Sequence, residues 1–365
     1  MYLRVRRLVA SVVFKTPPLD YEALQALAVL SMFTPTIQTA MPIDSWMVSG
    51  IAMNHGTLSF GLSGSDFNVS QETQAQLRRL RIWNALCLTN VQFSIGNGRP
   101  NMVQPKFIDQ CARIIEFEDA LLTDGKLYAE VLLFTRTESI LSSGASIQLQ
   151  QSGMFVVPEL EDFRVRWGHL FNIPEGLSLK VGYWYCHLLV YRAALKGEPT
   201  DADSAALVSE AIKSSCDILE LFLSLEFSII LDMPDHFFFM IIYAALTLCK
   251  FAFGHRLIAA TQQSLMDLAS NDEHIAYRFG IVLVEIRRKA AVAGIEDPAT
   301  NGTAPTPGIN EAVPDVAVLL AGNGDANWDA FLAWNNMPDL SLAQGLEEPM
   351  PYETAGYQPN FNPGE

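Results

Sequence analysis

Cys186 and His187 are adjacent, the one place in the 365 residues where a thiol and an imidazole stand side by side. Such a pair does nucleophilic chemistry only when the imidazole can take the thiol proton. Both follow the aromatic run Tyr183-Trp184-Tyr185, which reads as helix, and neighbouring side chains on a helix diverge by about 100°. The expectation is a packed core thiol beside a helix-surface histidine. His236 follows Pro234-Asp235 at a helix start, where capping or the N-terminal turn accounts for the pair. His55, His169, His255 and His274 are scattered. Cys87, Cys111, Cys186, Cys216 and Cys249 are odd in number and contain no CxxC pair. Reduced, buried thiols follow, with no metal knot.

Phosphate and metal chemistry fare no better. The sequence holds no GxxxxGK[ST] loop, no GxSxG elbow and no HExxH helix. Gly96-Asn97-Gly98-Arg99-Pro100 looks phosphate-friendly, but it follows a helical pattern and reads as a helix stop. Glu116, Glu118 and Asp119 lack the spacing that a magnesium–diphosphate site needs. Asn271-Asp272 is followed by Ile275 and Phe279, where a hard cation needs oxygen ligands. Solvated helix ends account for these acids. No catalytic, cofactor-binding or metal-ligating residue is assigned, and no cofactor is expected.

The elements that would position any site are helices. Half the residues are hydrophobic and 18% are charged, enough to bury a large core. Apolar residues recur at helical spacing with no βαβ rhythm, which predicts an all-α fold. Helices are expected at 21–33, from Asp44 to Gly61, from a Ser70 cap to Ile95, and at 108–122, 126–142 and 160–171. Others are expected at 179–195, 203–223, 234–253, 255–269 and 272–290. The opening MYLRVRRLVASVVFKTPP has a short apolar stretch ended by Lys15 and no cleavage signal, so it reads as helix rather than leader. Phe237–Cys249 is apolar over 13 residues. A bilayer needs about 20, so a buried helix is expected and no membrane span.

Near residue 290 the composition changes. From Glu296 to Glu365 there are eleven acidic residues and no Lys, Arg or His, so this stretch holds −11 of the net −16. Disorder is the expectation for an acidic tail over 291–365, behind a large multi-helix body over 1–290. Within it, Gly324–Leu340 sets Trp328, Phe331, Leu332, Trp334 and Leu340 among Asp325, Asp329 and Asp339. Acids that keep aromatics solvated are the composition of an activation segment that folds on a coactivator groove. The same residues would also suit a last helix docked on the body. The acidic balance argues against phosphate binding by this chain itself.

Leu77–Pro100, LRRLRIWNALCLTNVQFSIGNGRP, resembles the middle homology region of fungal zinc-cluster transcription factors. Arg78, Arg79, Arg81, Trp83, Leu86, Leu88 and Gly98-Arg99-Pro100 match its pattern. Asn84 stands where the family often has an aromatic, and Asn90 where it often has an acid. Leu24–Phe33 with Ser45–Leu62, and Met233–Phe251 downstream, are similar to flanking helices of regulators of leucine biosynthesis and secreted proteases. The resemblance spans about residues 1–290 and implies a helical regulatory domain acting in the nucleus on RNA polymerase II transcription. Arg78, Arg81, Trp83, Gly98, Arg99 and Pro100 would be structural members of the motif. The coactivator or general transcription machinery, and a homo- or heterodimer partner, are the implied partners. The family's six-cysteine zinc cluster is not within these residues, so DNA would be reached only through another module. Two rivals are a non-DNA-binding partner or scaffold of a full-length regulator, and an all-α enzyme with a convergent ionisable cluster.

Overall fold

A computed structural model describes residues 2–16, 18–33, 44–61, 73–143, 148–149, 155–196, 201–270 and 274–292. Among them the fold is all-α. In chain order the helices are α1 (Tyr2–Val13), α2 (Tyr21–Met32), α3 (Ser45–Ser59), α4 (Thr73–Asn97), α5 (Pro105–Ala112), α6 (Leu122–Ser143) and α7 (Pro158–Trp167). There follow α8 (Leu177–Lys196), α9 (Asp201–Ser224), α10 (Phe227–Leu231), α11 (Asp235–Phe251), α12 (Arg256–Leu268) and α13 (Ile275–Val292). One short antiparallel pair joins β1 (Gln148–Leu149) to β2 (Phe155–Val156), with Leu149 opposite Phe155.

The order of packing follows from which helices are apolar all round. α2 and α3 pack on α4, α4 packs on α6, and α6 on α8. α8 in turn meets α9 and α11, and α12 with α13 closes the far side. The middle helices meet neighbours on several faces and are buried accordingly. Trp83, Phe134, Phe163, Tyr185, Phe222 and Phe237 are fully enclosed. Burying side chains of this size contributes about 1.5–3 kcal/mol each. α11 is the apolar run expected to be a buried helix, and twelve of its residues are buried. No described helix is long and apolar enough to cross a membrane.

Several boundaries differ from the sequence reading, each for a local reason. The single helix expected over 108–122 is α5, then a 3-10 turn (Arg113–Glu116), then a break in which Phe117 is extended. Asp124 in the first turn of α6 accepts the Leu121 amide at 2.9 Å, which starts a new helix. Apolar residues continue through the break, so periodicity alone hides it. Gly96, expected as part of a helix stop, lies inside α4. The stop is Gly98, whose φ of +61° suits the left-handed position after a helix. The Ser70 cap lies outside the described residues. α10 and the β1–β2 pair had no counterpart in the sequence reading. Asp44 does cap α3, its Oδ1 accepting the Met47 amide at 2.9 Å.

Candidate functional site

The residues of the Leu77–Pro100 motif divide between two places. At the start of α4, Arg81 donates two hydrogen bonds of 2.7 Å to Asp124 of α6. The Asp124 carboxylate is almost wholly enclosed while Arg81 is about one-third exposed. Trp83 is fully buried, set edge-on to Phe107 with ring centroids 5.0 Å apart. Arg78 is exposed and, with Arg81, lines an open groove of about 490 Å³ between α2 and α4. Asn84 is buried; its amide nitrogen donates to the Leu80 and Cys111 carbonyls, while its Oδ1 is enclosed without a partner.

At the end of α4 the motif ties the helix to α3. Arg99 donates to Asp44 at 2.6 Å, and its guanidinium lies over the Trp46 ring, 5.2 Å from the centroid. The Trp46 indole N–H points at both Ser94 Oγ (3.2 Å) and the Pro100 carbonyl (3.1 Å). Buried Asn90 is the knot beneath them. Its amide donates to the Trp46 carbonyl and Ser49 Oγ, and its oxygen accepts the Met102 amide. A carboxylate here could not donate, so Asn at this position suits the geometry found.

Cys186 is buried, its thiol pushed up to about 12 by desolvation. His187 is buried too, not on the helix surface as expected, and it packs against the Tyr183 and Tyr191 rings one turn to either side; its Nδ1 sits 3.1 Å from the Tyr183 carbonyl. A different pair meets instead: Cys216 of α9 and His255, Sγ to Nε2 3.7 Å. His255 is the N-cap of α12, and its Nδ1 accepts the Leu257 amide at 3.4 Å. With Nδ1 engaged as an acceptor, the neutral ring carries its proton on Nε2 and cannot take one from the thiol. Burial raises the Cys216 thiol to about 11 and depresses the imidazole, so neither partner is poised for attack. Sequence reasoning missed this meeting, since the two residues are 39 apart. Among the described residues, no group of three or more His, Cys, Asp or Glu could hold a metal ion.

One hollow carries unsatisfied polarity. It lies where α4, α8 and α11 meet, bounded by Gln92, Phe93, Tyr185, His236, Phe239 and Tyr243 among others. His236 is 3% exposed, ringed by Phe93, Phe134 and Tyr185, and its Nε2 has no partner. Desolvation alone lowers the imidazole to about 3, so it is neutral near pH 7. Of the two expectations for this pair, the N-terminal turn holds, since Asp235 and His236 open α11, and the side-chain cap does not. The N-cap is Pro234, which offers no side-chain cap, and Asp235 Oδ2 is sealed from solvent without a partner. Asp235 as a residue is only partly buried, yet desolvation raises its carboxyl to about 8.

Asp325, Trp328, Asp329, Phe331, Leu332, Trp334, Asp339 and Leu340 lie outside the described residues, so the geometry here concerns the helical body.

The chain was then compared with known proteins. The middle domain of the transcriptional activator of proteases prtT matches residues 1–290. A transcriptional activator of proteases prtT from Aspergillus niger is 36% identical over 303 residues, covering 82% of this chain and 47% of that protein. The Aspergillus fumigatus protein of the same name is 37% identical over 294 residues, covering 80% and 40%. An uncharacterised transcriptional regulatory protein of Schizosaccharomyces pombe is 26% identical over 231 residues, covering 60% and 42%. The chain thus spans about half the length of the curated relatives it matches. No solved structure matches it.

Proposed function

This chain belongs to the family of the prtT middle domain, and from that premise we propose that it is the regulatory body and activation tail of a transcription regulator acting in the nucleus. The observation that carries the reading is the match over the whole helical body to a domain of proteins named as transcriptional activators. Two features support it. The Cys216–His255 pair of the body is chemically disarmed, and the motif residues Arg81 and Arg99 are spent on tying helices together rather than facing a substrate. The acidic stretch after residue 296 combines net charge with Trp328, Phe331, Leu332 and Trp334 at spacings that put three of them on one face of a short helix.

In this reading the body positions and restrains, and the segment 324–340 folds on a hydrophobic groove of a coactivator or of the general transcription machinery. DNA is reached through a separate module. The second reading, a dimerisation partner or scaffold that modulates a full-length regulator, shares the body and differs only in whether the chain itself recruits the machinery.

The test fuses the whole chain, and separately residues 296–365, to a foreign DNA-binding domain above a reporter gene. Activation by the tail fusion, reduced several-fold when Trp328, Phe331 and Trp334 are replaced by Ala, supports the activator. Silence of both fusions at confirmed expression removes the activator and leaves the partner reading. That second reading predicts instead that overexpressing the chain changes the output of a full-length relative.

A further inference from the structure

The open groove of about 490 Å³ between α2 and α4 has Val29, Met32, Ile82 and Ala85 on its walls together with Arg78 and Arg81, and no acid lines it. Val29 also lines a second hollow of about 460 Å³ on the outer side of α2, with Ala26 and Phe33. Val29 is 52% exposed and Phe33 39%, so this side of α2 is uncovered among the described residues. Glu22, in the first turn, is the one acid on α2.

Beside the groove runs a segment of opposite charge. Residues 115–125 hold Glu116, Glu118, Asp119 and Asp124 and no Lys, Arg or His. Two contacts fix this segment along α4: Gln74 donates to Asp119 and Arg81 to Asp124, each at 2.7 Å. Gln74, Arg78 and Arg81 share one face of α4, which sets Arg78 between the two contacts. Arg78, Glu116 and Glu118 are exposed and make no ion pair among the described residues. The segment also leaves Ile115, Leu121 and Leu122 exposed, Leu122 by 65%. The Leu121 amide donates to Asp124, so Leu121 adjoins the Arg81–Asp124 pair at the edge of the groove. Exposed apolar side chains scattered singly are ordinary. A tract that runs from Phe33 through Val29 and past Arg81 to Leu121 and Leu122 marks an interaction surface.

We propose that this face binds a second copy of the chain, the groove of each protomer receiving the 115–122 segment of the other. A two-fold interface must be its own complement. A cationic apolar groove beside an anionic apolar segment meets that condition when one copy is turned by half a revolution. Arg78 of one protomer then meets Glu116 and Glu118 of its partner, and the same contact recurs on the other side of the axis. Leu121 and Leu122 cover Val29 and Met32 between these charges. The ion pairs set encounter and register, and the apolar contact holds the dimer together. The acidic segment 324–340 offers the groove the same sign of charge, but it would leave Leu121 and Leu122 uncovered, whereas a second copy covers both halves of the face. The dimer is independent of the transcriptional reading, because association is measured on the purified chain.

The experiment is sedimentation equilibrium of the full chain from about 1 to 100 μM in about 0.15 M salt, where exposed charges more than about 8 Å apart are screened. The mass is expected to rise toward twice 40.4 kDa. Arg78→Glu, and separately Glu116→Lys with Glu118→Lys, each weakens self-association about tenfold or more, because the contact occurs twice. The two variants mixed in equal amounts associate as tightly as the parent, since every groove then faces a segment of opposite charge. Leu122→Ser weakens the dimer about tenfold by removing apolar contact on both sides of the axis. These side chains are exposed in the single chain, so Tm at low concentration stays unchanged. A parent that remains monomeric at the top concentration overturns the proposal; faster proteolysis of its tail in Arg78→Glu would then give the groove to the chain's own acidic segment. A mixture that recovers nothing also overturns it. Should either charge reversal fail to fold, Leu122→Ser decides, and an undiminished dimer there overturns it as well.

Discussion

Arg99 reaches Asp44 across 55 positions of sequence, Nη1 to Oδ2 2.6 Å, while Oδ1 of the same carboxylate caps α3. One side chain thus starts a helix and anchors the end of another. Asp44→Ala loses both, a cap worth about 1 kcal/mol and a charged hydrogen bond worth about 1.5–3 kcal/mol. Arg99→Ala loses only the second, together with its stacking on Trp46. Urea unfolding should rank Asp44→Ala as the more destabilised, with Asp44→Asn between Asp44→Ala and the parent. Equal losses for Asp44→Ala and Arg99→Ala would mean that the cap contributes nothing.

Arg81 and Asp124 make an asymmetric pair, since the carboxylate is enclosed and the guanidinium is partly open to water. Arg81→Met strands a buried carboxylate, a loss of up to about 3–5 kcal/mol. Asp124→Asn leaves an arginine that can turn to solvent, and its amide oxygen can still accept the Leu121 N–H. The first variant should therefore be clearly less stable than the second by chemical denaturation. The reverse order would show that the helix start at Leu121 matters more than the ion pair.

Asp235 and His236 pull stability in opposite directions with pH. Folded Asp235 keeps its proton to about pH 8, whereas its ordinary value is 3.8. Between those values the unfolded chain binds fewer protons, so stability falls as pH rises, by up to about 1.4 kcal/mol per unit. Folded His236 refuses a proton down to about 3, against an ordinary 6.5. Between those values the unfolded chain binds more protons, so stability rises with pH. The two oppose one another up to pH 6.5, and Asp235 acts alone from there to 8. Asp235→Asn should flatten the stability profile above pH 6.5, read as Tm against pH relative to the parent. An unchanged slope there would place the Asp235 carboxyl in contact with water.

Gly96 and Gly98 separate a helix interior from a helix stop. A Cβ at Gly96 would sit 3.6 Å from the Tyr185 hydroxyl, an ordinary contact, and Ala is the better helix former by up to about 1 kcal/mol. Gly98 has φ +61°, where a side chain costs about 1 kcal/mol or more. Gly96→Ala should be neutral or stabilising and Gly98→Ala destabilising. The opposite result would return the stop to Gly96.

The amino-acid sequence alone determined the class of fold and most of its helices, because the 3.6-residue apolar period is a local property that survives any tertiary arrangement. It also identified Asp44 as a cap and the Gly96–Pro100 stretch as an ending, although α4 runs through Gly96 and stops at Gly98, since both signals act within a few residues. It located the long apolar helix at Phe237–Cys249 by length against bilayer thickness. It did not reveal the break before Asp124, where apolar residues run on and only the partner Arg81 explains why a carboxylate is buried. Nor could it reveal that His255 meets Cys216, that Asn90 knots Trp46 to Met102, or that Arg192 lies buried over the Tyr243 ring. Those facts depend on which helix faces come together across dozens of residues. Burial sets the protonation of Asp235 and His236 in the same way, because desolvation is a property of the assembled core and not of the residue type.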